Sequence, residues 1–517
     1  MKAFTVPLLL LSVCLYPCYG ARILAVIAVP SYSHQVFFRP LWREYLARGH
    51  ELTLITTDPM SSEDHHPNLR QIDVSMVYDN AEATFDHVMN LRSDKFAEVN
   101  FLFEYVLNAT RRELMQPDVH DLLMNKSHEF DLLIIEDIAP EMYVFKHRFD
   151  VPCIAVASFD VPPWTHEFIG NPVHPLIYPT AIIPINNLHD GVIKRFVIVL
   201  FDFIVRKYYE YYLIARMDHM ISETLPGNYP SVLELQQRAD MLFTNANPVF
   251  SCVRPFTQTT VSLAGGFHTN RAQNISKDLL TFLDDSSEGV IYFSLGTNVK
   301  SKLLSKKLRN IFLDAFRQLP YKILWKFELD SLENQPENVK IIKWCPQQAV
   351  LRHKNIKAFI SQGGLQSLEE SLLSGVPVVT IPFFFDQEGN AKQVIASGIG
   401  VELMYETLTV AELKAAILEV ILNAKYRNMA RKHAEFIMDR PMTPLQDAIW
   451  HTEYLLRHGN VKHLKIASIP FYQYYYLDLM AITLCVLCLF MYITYFLIKT
   501  MIGNLNNNQK ISKRKIQ

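Results

Sequence analysis

The sequence predicts an α/β protein of two doubly wound domains facing each other across a cleft, followed by one C-terminal transmembrane helix. Three observations carry this. Aliphatic, β-branched runs alternate with helix-like stretches as far as Ala157, and the alternation resumes near Gly289. Such alternation builds parallel sheets with helices on both faces. Between about Pro255 and Asp285 the strand signal lapses and Gly265-Gly266 appears, which marks a boundary. Finally, Leu479 to Ile498 is an uncharged apolar run about as long as a hydrocarbon core is thick.

Taken in order, Lys2 precedes a mostly apolar Phe4–Leu15, and Cys18 and Gly20 are small residues at the positions a signal peptidase reads. Residues 1–20 are expected to be a cleaved signal peptide. Ile23 to Val29 reads as a strand, Pro30 to His34 as a turn, Val36 to Arg48 as a helix stopped by Gly49, and Glu51 to Thr56 as the next strand. Further strands are expected at Leu132–Ile135 and Cys153–Ala157. Val192 to Tyr208 mixes bulky apolar residues with Lys194, Arg195, Arg206 and Lys207, which fits an acceptor-site helix, a membrane-lying helix or a core helix. The first domain is placed at 21–260 and the second at 261–470. In the second, strands are expected at Val290, Lys322–Phe327, Val339–Trp344, Ala358–Ser361 and Val378–Ile381, with helices over Lys302–Gln318 and Leu365–Ser374.

The membrane helix is placed at 477–498, behind Tyr472, Tyr474, Tyr475 and Tyr476 as an interfacial belt. The tail 499–517 carries Lys499, Lys510, Lys513, Arg514 and Lys515 and no acid, so the positive-inside rule puts it in the cytosol and the bulk of the chain in a lumen. Lys513 and Lys515 resemble a dilysine retrieval signal for the endoplasmic reticulum. Asn108, Asn125 and Asn274 open sequons that a lumenal location would expose to glycosylation.

The 517 residues carry a formal net charge of −2, which gives nucleic acid no basic field to bind. Cys153, Cys252 and Cys345 fit no zinc spacing. The loop after the first strand holds no G-x-G-x-x-G, so a nicotinamide-binding oxidoreductase is disfavoured. His34 sits there instead, where a histidine can reach a cleft as a general base; an ordinary loop histidine is the plainer reading from position alone. Glu136 and Asp137 close a buried strand, and an acid there can orient the imidazole; helix capping by Asp137 explains it equally well locally.

The densest signal lies further on: Trp344-Cys-Pro-Gln347, Ser361-Gln362-Gly363-Gly364-Leu-Gln366-Ser367-Leu-Glu-Glu370, Gly375-Val-Pro377 and Asp386-Gln387. It reads as a cradle for a nucleotide sugar. Trp344 can stack on a base and Gln347 can bond its edge or the ribose. Gly363 and Gly364 let backbone approach a diphosphate at a helix N-terminus. Glu370 can accept from ribose hydroxyls, and Asp386 and Gln387 can bind sugar hydroxyls.

This stretch resembles the signature of the UDP-glycosyltransferases, the family of the UDP-glucuronosyltransferases. The resemblance extends to Phe293-Ser294-Leu-Gly296-Thr297, to Gly265-Gly266, to His34 and to both chain ends. It implies the GT-B fold, an inverting mechanism and no metal or other cofactor; the sequence also lacks the Asp-x-Asp of metal-dependent glycosyltransferases. It implies an acceptor-binding first domain with His34 as base, and a second domain that binds the UDP-sugar. Trp344, Gln347 and Glu370 would hold uridine. Ser361, Gln362, Gln366 and Ser367 would hold the diphosphate, joined by Ser294, Gly296 and Thr297 in the donor site. Asp386 and Gln387 would hold the sugar. The orienting acid aligns with Glu136 without a gap and with Asp137 after a one-residue slip, and Asp137 is selected.

Gln362 stands where vertebrate and plant members usually have histidine, and Gln362-Gly-Gly-Leu-Gln-Ser is similar to insect and baculovirus members. No Lys or Arg lies near Asp386-Gln387 before Lys392, and a carboxylate-bearing sugar would want one. UDP-glucose is therefore expected over UDP-glucuronic acid, unless Arg39 or Arg43 closes over the sugar. The other expected partners are a small lipophilic hydroxylated acceptor and the bilayer; a homo-oligomer is left open. The alternatives are a glucuronosyltransferase of the same mechanism and a non-catalytic binder of lipophilic ligands.

Overall fold

The computed structural model describes residues 20–61, 64–78, 87–89, 91, 94–178, 191–269, 274–465 and 470–514. The expected signal peptide and the end of the tail from Lys515 lie outside them. Residues 1–465 form one compact unit and 466–517 another.

In the larger unit, seven parallel strands form the first sheet: β1 (Arg22–Ile27), β2 (Glu51–Thr56), β3 (Leu69–Asp73), β4 (Leu132–Glu136), β5 (Cys153–Ala157), β6 (Met241–Thr244) and β7 (Thr260–Ser262), in the order 3-2-1-4-5-6-7. The second sheet has six: β8 (Val290–Ser294), β9 (Lys322–Lys326), β10 (Val339–Ile342), β11 (Ile356–Ser361), β12 (Val378–Thr380) and β13 (Gly400–Glu402), in the order 10-9-8-11-12-13. Both are doubly wound, and each reverses direction beside its first strand, between β1 and β4 and between β8 and β11. Ligands of such sheets bind outside the carboxyl ends of the strands at that reversal.

The central strands are apolar throughout because helices cover both faces. Leu133 and Ile135 of β4 face one core together with Leu24 and Val26. Leu132 and Ile134 face the other, with Ile23, Ala25, Ile27 and with Phe37, Phe38 and Trp42 of helix α1 (Tyr32–Ala47). The expected turn at Pro30–His34 is mostly helix: Ser31 is the N-cap in extended conformation, and His34 lies in the first turn of α1. Further helices that matter are α2 (Lys95–Leu114), α3 (Val192–Tyr208), α4 (Gln347–Leu351), α5 (Leu365–Leu373), α6 (Gln387–Ala396) and α7 (Pro444–His458).

Two expectations change. The boundary at 260/261 falls inside β7, and the chain later returns to the first sheet: Ala448, Ile449 and Leu455 of α7 join the core of α1. The core reading of α3 fails, because Ile198 is its one buried residue. Ile193 and Phe196 are 81% and 65% exposed.

The smaller unit contains α8 (Leu477–Arg514), whose Leu477–Leu505 stretch is long and apolar enough to cross a membrane.

Candidate active site

The loop from β1 into α1 and the end of β4 meet at the reversal of the first sheet. There His34 Nδ1 lies 2.5 Å from Glu136 Oε1, and the Val29 amide donates to Glu136 Oε2 at 3.3 Å. The Phe159 ring stands edge-on to the imidazole, centroids 5.7 Å apart. Asp137, selected from sequence as the partner, is elsewhere. Successive strand residues point to opposite faces, so Asp137 turns into the core away from α1. It accepts there from Thr165 Oγ1 (2.6 Å), Gln236 Nε2 (2.9 Å) and Tyr143 OH (3.1 Å). Burial raises its pKa, against those three bonds. The acid beside His34 is Glu136.

The reversal of the second sheet brings together the ends of β8 and β11. Ser294 Oγ accepts from Gly296 N at 3.3 Å, and Ser361 Oγ accepts from Gly363 N at 3.2 Å. Gln362 fills the space between the two loops: a Cβ on Gly296 would fall 2.3 Å from its Nε2, and one on Gly364 2.9 Å. The left-handed φ values of Gly296 (75°) and Gly363 (91°) add a second reason for glycine. Helix α5 starts after Gly364 with no side chain capping it, so its first amides are left for an anion. Gln366 and Ser367 lie on that first turn, and Thr297 lies in the turn after β8.

Gln347, the first residue of α4, ties three elements together. Its Nε2 donates to Glu370 Oε2 (2.7 Å) and Ser367 Oγ (2.9 Å), and its Oε1 accepts from Tyr292 OH (3.0 Å). Burial raises the pKa of Glu370, countered by bonds from Gln347 and Gln348. Trp344 is 55% exposed, as a stacking platform requires. Tyr32 of α1 meets it edge-on at 5.2 Å, and Lys326 Nζ sits 5.5 Å from its ring centre while donating to the Gly296 carbonyl at 2.6 Å.

On the third loop, Asp386 opens onto the cleft and accepts from Asn390 Nδ2 at 2.8 Å. The protein packed round it raises its pKa, while the Asn390 bond and the nearby His34 lower it. His34 and the loop that carries Asp386 are thus close enough to interact. Gln387 is turned inward, its Oε1 accepting from the amides of Phe383 (2.9 Å) and Phe384 (3.4 Å). Its carboxamide oxygen shapes the sugar loop from within.

Of the two cations considered for the sugar, Arg43 pairs with Asp64 at 2.8 Å, and Arg39 donates to the Asp58 carbonyl at 3.2 Å. Asn108, Asn125 and Asn274 are all exposed. Sequence reasoning missed Tyr32 and Lys326. Lys326 closes β9 at the same edge as the cradle, and that placement was the available signal; nothing in sequence brings Tyr32 across from the other half.

This is the GT-B arrangement, with the candidate cradle at the ends of β8 and β11 in the second sheet and a histidine–carboxylate pair in the first. The family described as "UDP-glucoronosyl and UDP-glucosyl transferase" matches residues 22–515, and the chain belongs to it. UDP-glucosyltransferase 2 of Dactylopius coccus is 30% identical over 98% of this chain and 98% of its own length. UDP-glucuronosyltransferase 2B15 of Homo sapiens is 27% identical over 90% of this chain and 91% of its own. The UDP-bound structure of TcCGT1 shares the fold with a TM-score of 0.55 and 16% identity, covering 85% of this chain and 100% of that one. The chain is a glycosyltransferase that uses a UDP-sugar.

Proposed function

We propose that the enzyme transfers glucose from UDP-glucose to a hydroxyl of a small lipophilic acceptor, with inversion and without a metal or other cofactor. The carrying observation is the 2.5 Å contact of His34 Nδ1 with Glu136 at the mouth of the first sheet, opposite the donor cradle. Nδ1–H donates to the carboxylate, which leaves Nε2 as the base. Nε2 takes the acceptor hydroxyl proton. The acceptor oxygen forms a bond to the anomeric carbon from the face opposite UDP, and the bond from that carbon to the diphosphate oxygen breaks. Glu136 stabilises the imidazolium. The charge developing on UDP meets the first amides of α5 and the neutral Gln362. In this reading Trp344 carries the base, Gln347 and Glu370 the ribose edge, and Asp386 the sugar hydroxyls.

Glucose is favoured because Asp386 would repel a sugar carboxylate, and Arg39 and Arg43 are engaged elsewhere. A lipophilic acceptor suits the Phe159 ring beside His34. The exposed apolar face of α3 and the α8 span fit a membrane enzyme; the basic tail supports a lumenal catalytic part by the positive-inside rule, and the Lys513/Lys515 spacing supports the endoplasmic reticulum as its membrane.

The test is kinetics of UDP release with a phenolic acceptor and each donor, on microsomes expressing the full chain. A higher kcat/KM is expected with UDP-glucose. A higher value with UDP-glucuronic acid reverses the donor assignment, and no acceptor-dependent UDP release with either donor defeats the reading.

A further inference from the structure

The sugar loop is held from both halves of the protein. Three consecutive amides follow Pro382. Those of Phe383 and Phe384 donate to Gln387 within the loop, but that of Phe385 donates to Glu98 Oε1, 2.5 Å away on the first turn of α2. Glu98 is 2% exposed although it is a carboxylic acid. Phe385 has φ 55°, a left-handed conformation that a bulky residue adopts only when its surroundings impose it. The next residue is Asp386. The crossing is not a lone contact: Val88 is buried in the core of the second sheet, with Met89 beside it in sequence and Phe101 on α2 packed against that core.

We propose that Glu98 is a positioning residue for the donor sugar: by fixing the Phe385 amide from the acceptor half, it aims Asp386 at the hexose. The proposal rests on the reading above that Asp386 binds the sugar. A loop with three of its amides anchored and one residue in a disfavoured conformation presents its next side chain in a single direction, and that preorganisation is worth most in the reacting complex. Because the third anchor comes from the other half, both halves hold the loop. The grip on the donor sugar then depends on Glu98, while the UDP portion, bound within the second half, is not affected.

The experiment compares Glu98→Ala, Glu98→Gln and Glu98→Asp with the unchanged full chain. Steady-state kinetics with UDP-glucose are measured together with binding of UDP, which lacks the hexose. Glu98→Ala should lower kcat/KM for the donor about 10- to 100-fold, the range for a lost charge-assisted bond at a reacting centre, with UDP affinity changed less than about twofold. Glu98→Gln keeps an acceptor oxygen at the same reach and should recover most of the loss; Glu98→Asp cannot reach and should not. If Glu98→Ala does not fold, the contrast between Gln and Asp decides. Equal loss of UDP and UDP-glucose binding, or equal effects of Gln and Asp, would overturn the proposal as merely structural. Asp386→Ala separates the two readings. If it leaves donor kcat/KM unchanged, the sugar-binding role of Asp386 fails. If it abolishes activity while the Glu98 variants behave as wild type, Glu98 alone falls.

Discussion

Glu136 and Asp137 are adjacent in sequence and face opposite sides of the first sheet: one lies 2.5 Å from the His34 imidazole, the other is enclosed by Tyr143, Thr165 and Gln236. Substitution should separate them. His34→Ala is expected to lower kcat by about 10²–10⁴, the usual worth of a positioned base, with UDP affinity kept. Glu136→Gln should cost on the order of 10²-fold or more in kcat, because the imidazole loses its orienting charge. Asp137→Asn should leave kcat within about threefold and instead destabilise the fold by ~1–3 kcal/mol, because it unbalances a buried network. Kinetics and thermal melts of the three variants check this; a large kcat loss confined to Asp137→Asn would reverse the assignment.

The packing of Gln362 against glycine gives a donor-specific prediction. Gly296→Ala places a Cβ 2.3 Å from Gln362 Nε2 and strains a left-handed backbone. Loss of one good hydrogen bond to a diphosphate should raise the donor KM at least about tenfold. The acceptor KM should hold, and calorimetric UDP binding should weaken in parallel. Unchanged UDP binding would mean that Gln362 does not face the diphosphate.

Glu141 makes stability depend on pH. It is buried, its Oε2 has no hydrogen-bond partner among the described residues, and burial raises its pKa to about 7. A carboxyl whose folded pKa lies above its unfolded value favours the folded state when protonated. Its contribution is full below the ordinary carboxylate range and is lost as pH rises toward 7. Glu141→Gln should remove that loss, so the Tm difference between pH 5 and pH 8 should be smaller in the variant than in the wild type. An equal difference in both would place the pH dependence elsewhere.

Topology is open to direct measurement. Treatment of the expressed protein with an N-glycosidase should reduce its apparent mass through one or more of Asn108, Asn125 and Asn274. Sealed microsomes should protect all but the short tail from protease. Changing Lys513 and Lys515 together to Ser should shift protein toward the cell surface. Digestion of the bulk in sealed microsomes would invert the proposed orientation.

The alternating pattern and the cradle were legible because each rests on local chemistry. Aliphatic runs such as Leu132–Ile135 and Cys153–Ala157 report strands buried on both faces, and Gly363-Gly364 before α5 reports a strand-to-helix turn with uncapped amides wherever the halves lie. What was not legible depends on faces and crossings. Strand parity says that Glu136 and Asp137 diverge, but only the packing of Phe37 and Phe38 against Ile134 says which side α1 takes. Gln387 reads as a sugar ligand by type, and its inward turn follows from loop amides that needed an acceptor. Tyr32 against Trp344 and Glu98 against Phe385 join residues hundreds of positions apart, beyond the reach of any local pattern.

The return of α7 to the first sheet sets a rule for recombination between relatives. Tyr45 OH bonds Thr452 Oγ1 at 2.8 Å inside the core, and Arg48 pairs with Glu453 at 2.7 Å. A hybrid that joins the first half of this chain to the second half of a relative at residue 260 therefore cuts a strand and sets a foreign α7 under the native α1. Moving the crossover past β7 and carrying residues 444–461 along with the first half keeps each core with its own helix. Hybrids built this way should be recovered folded in greater yield than single-crossover ones. Acceptor preference would then be exchangeable between relatives as a two-segment cassette rather than as the front half of a gene.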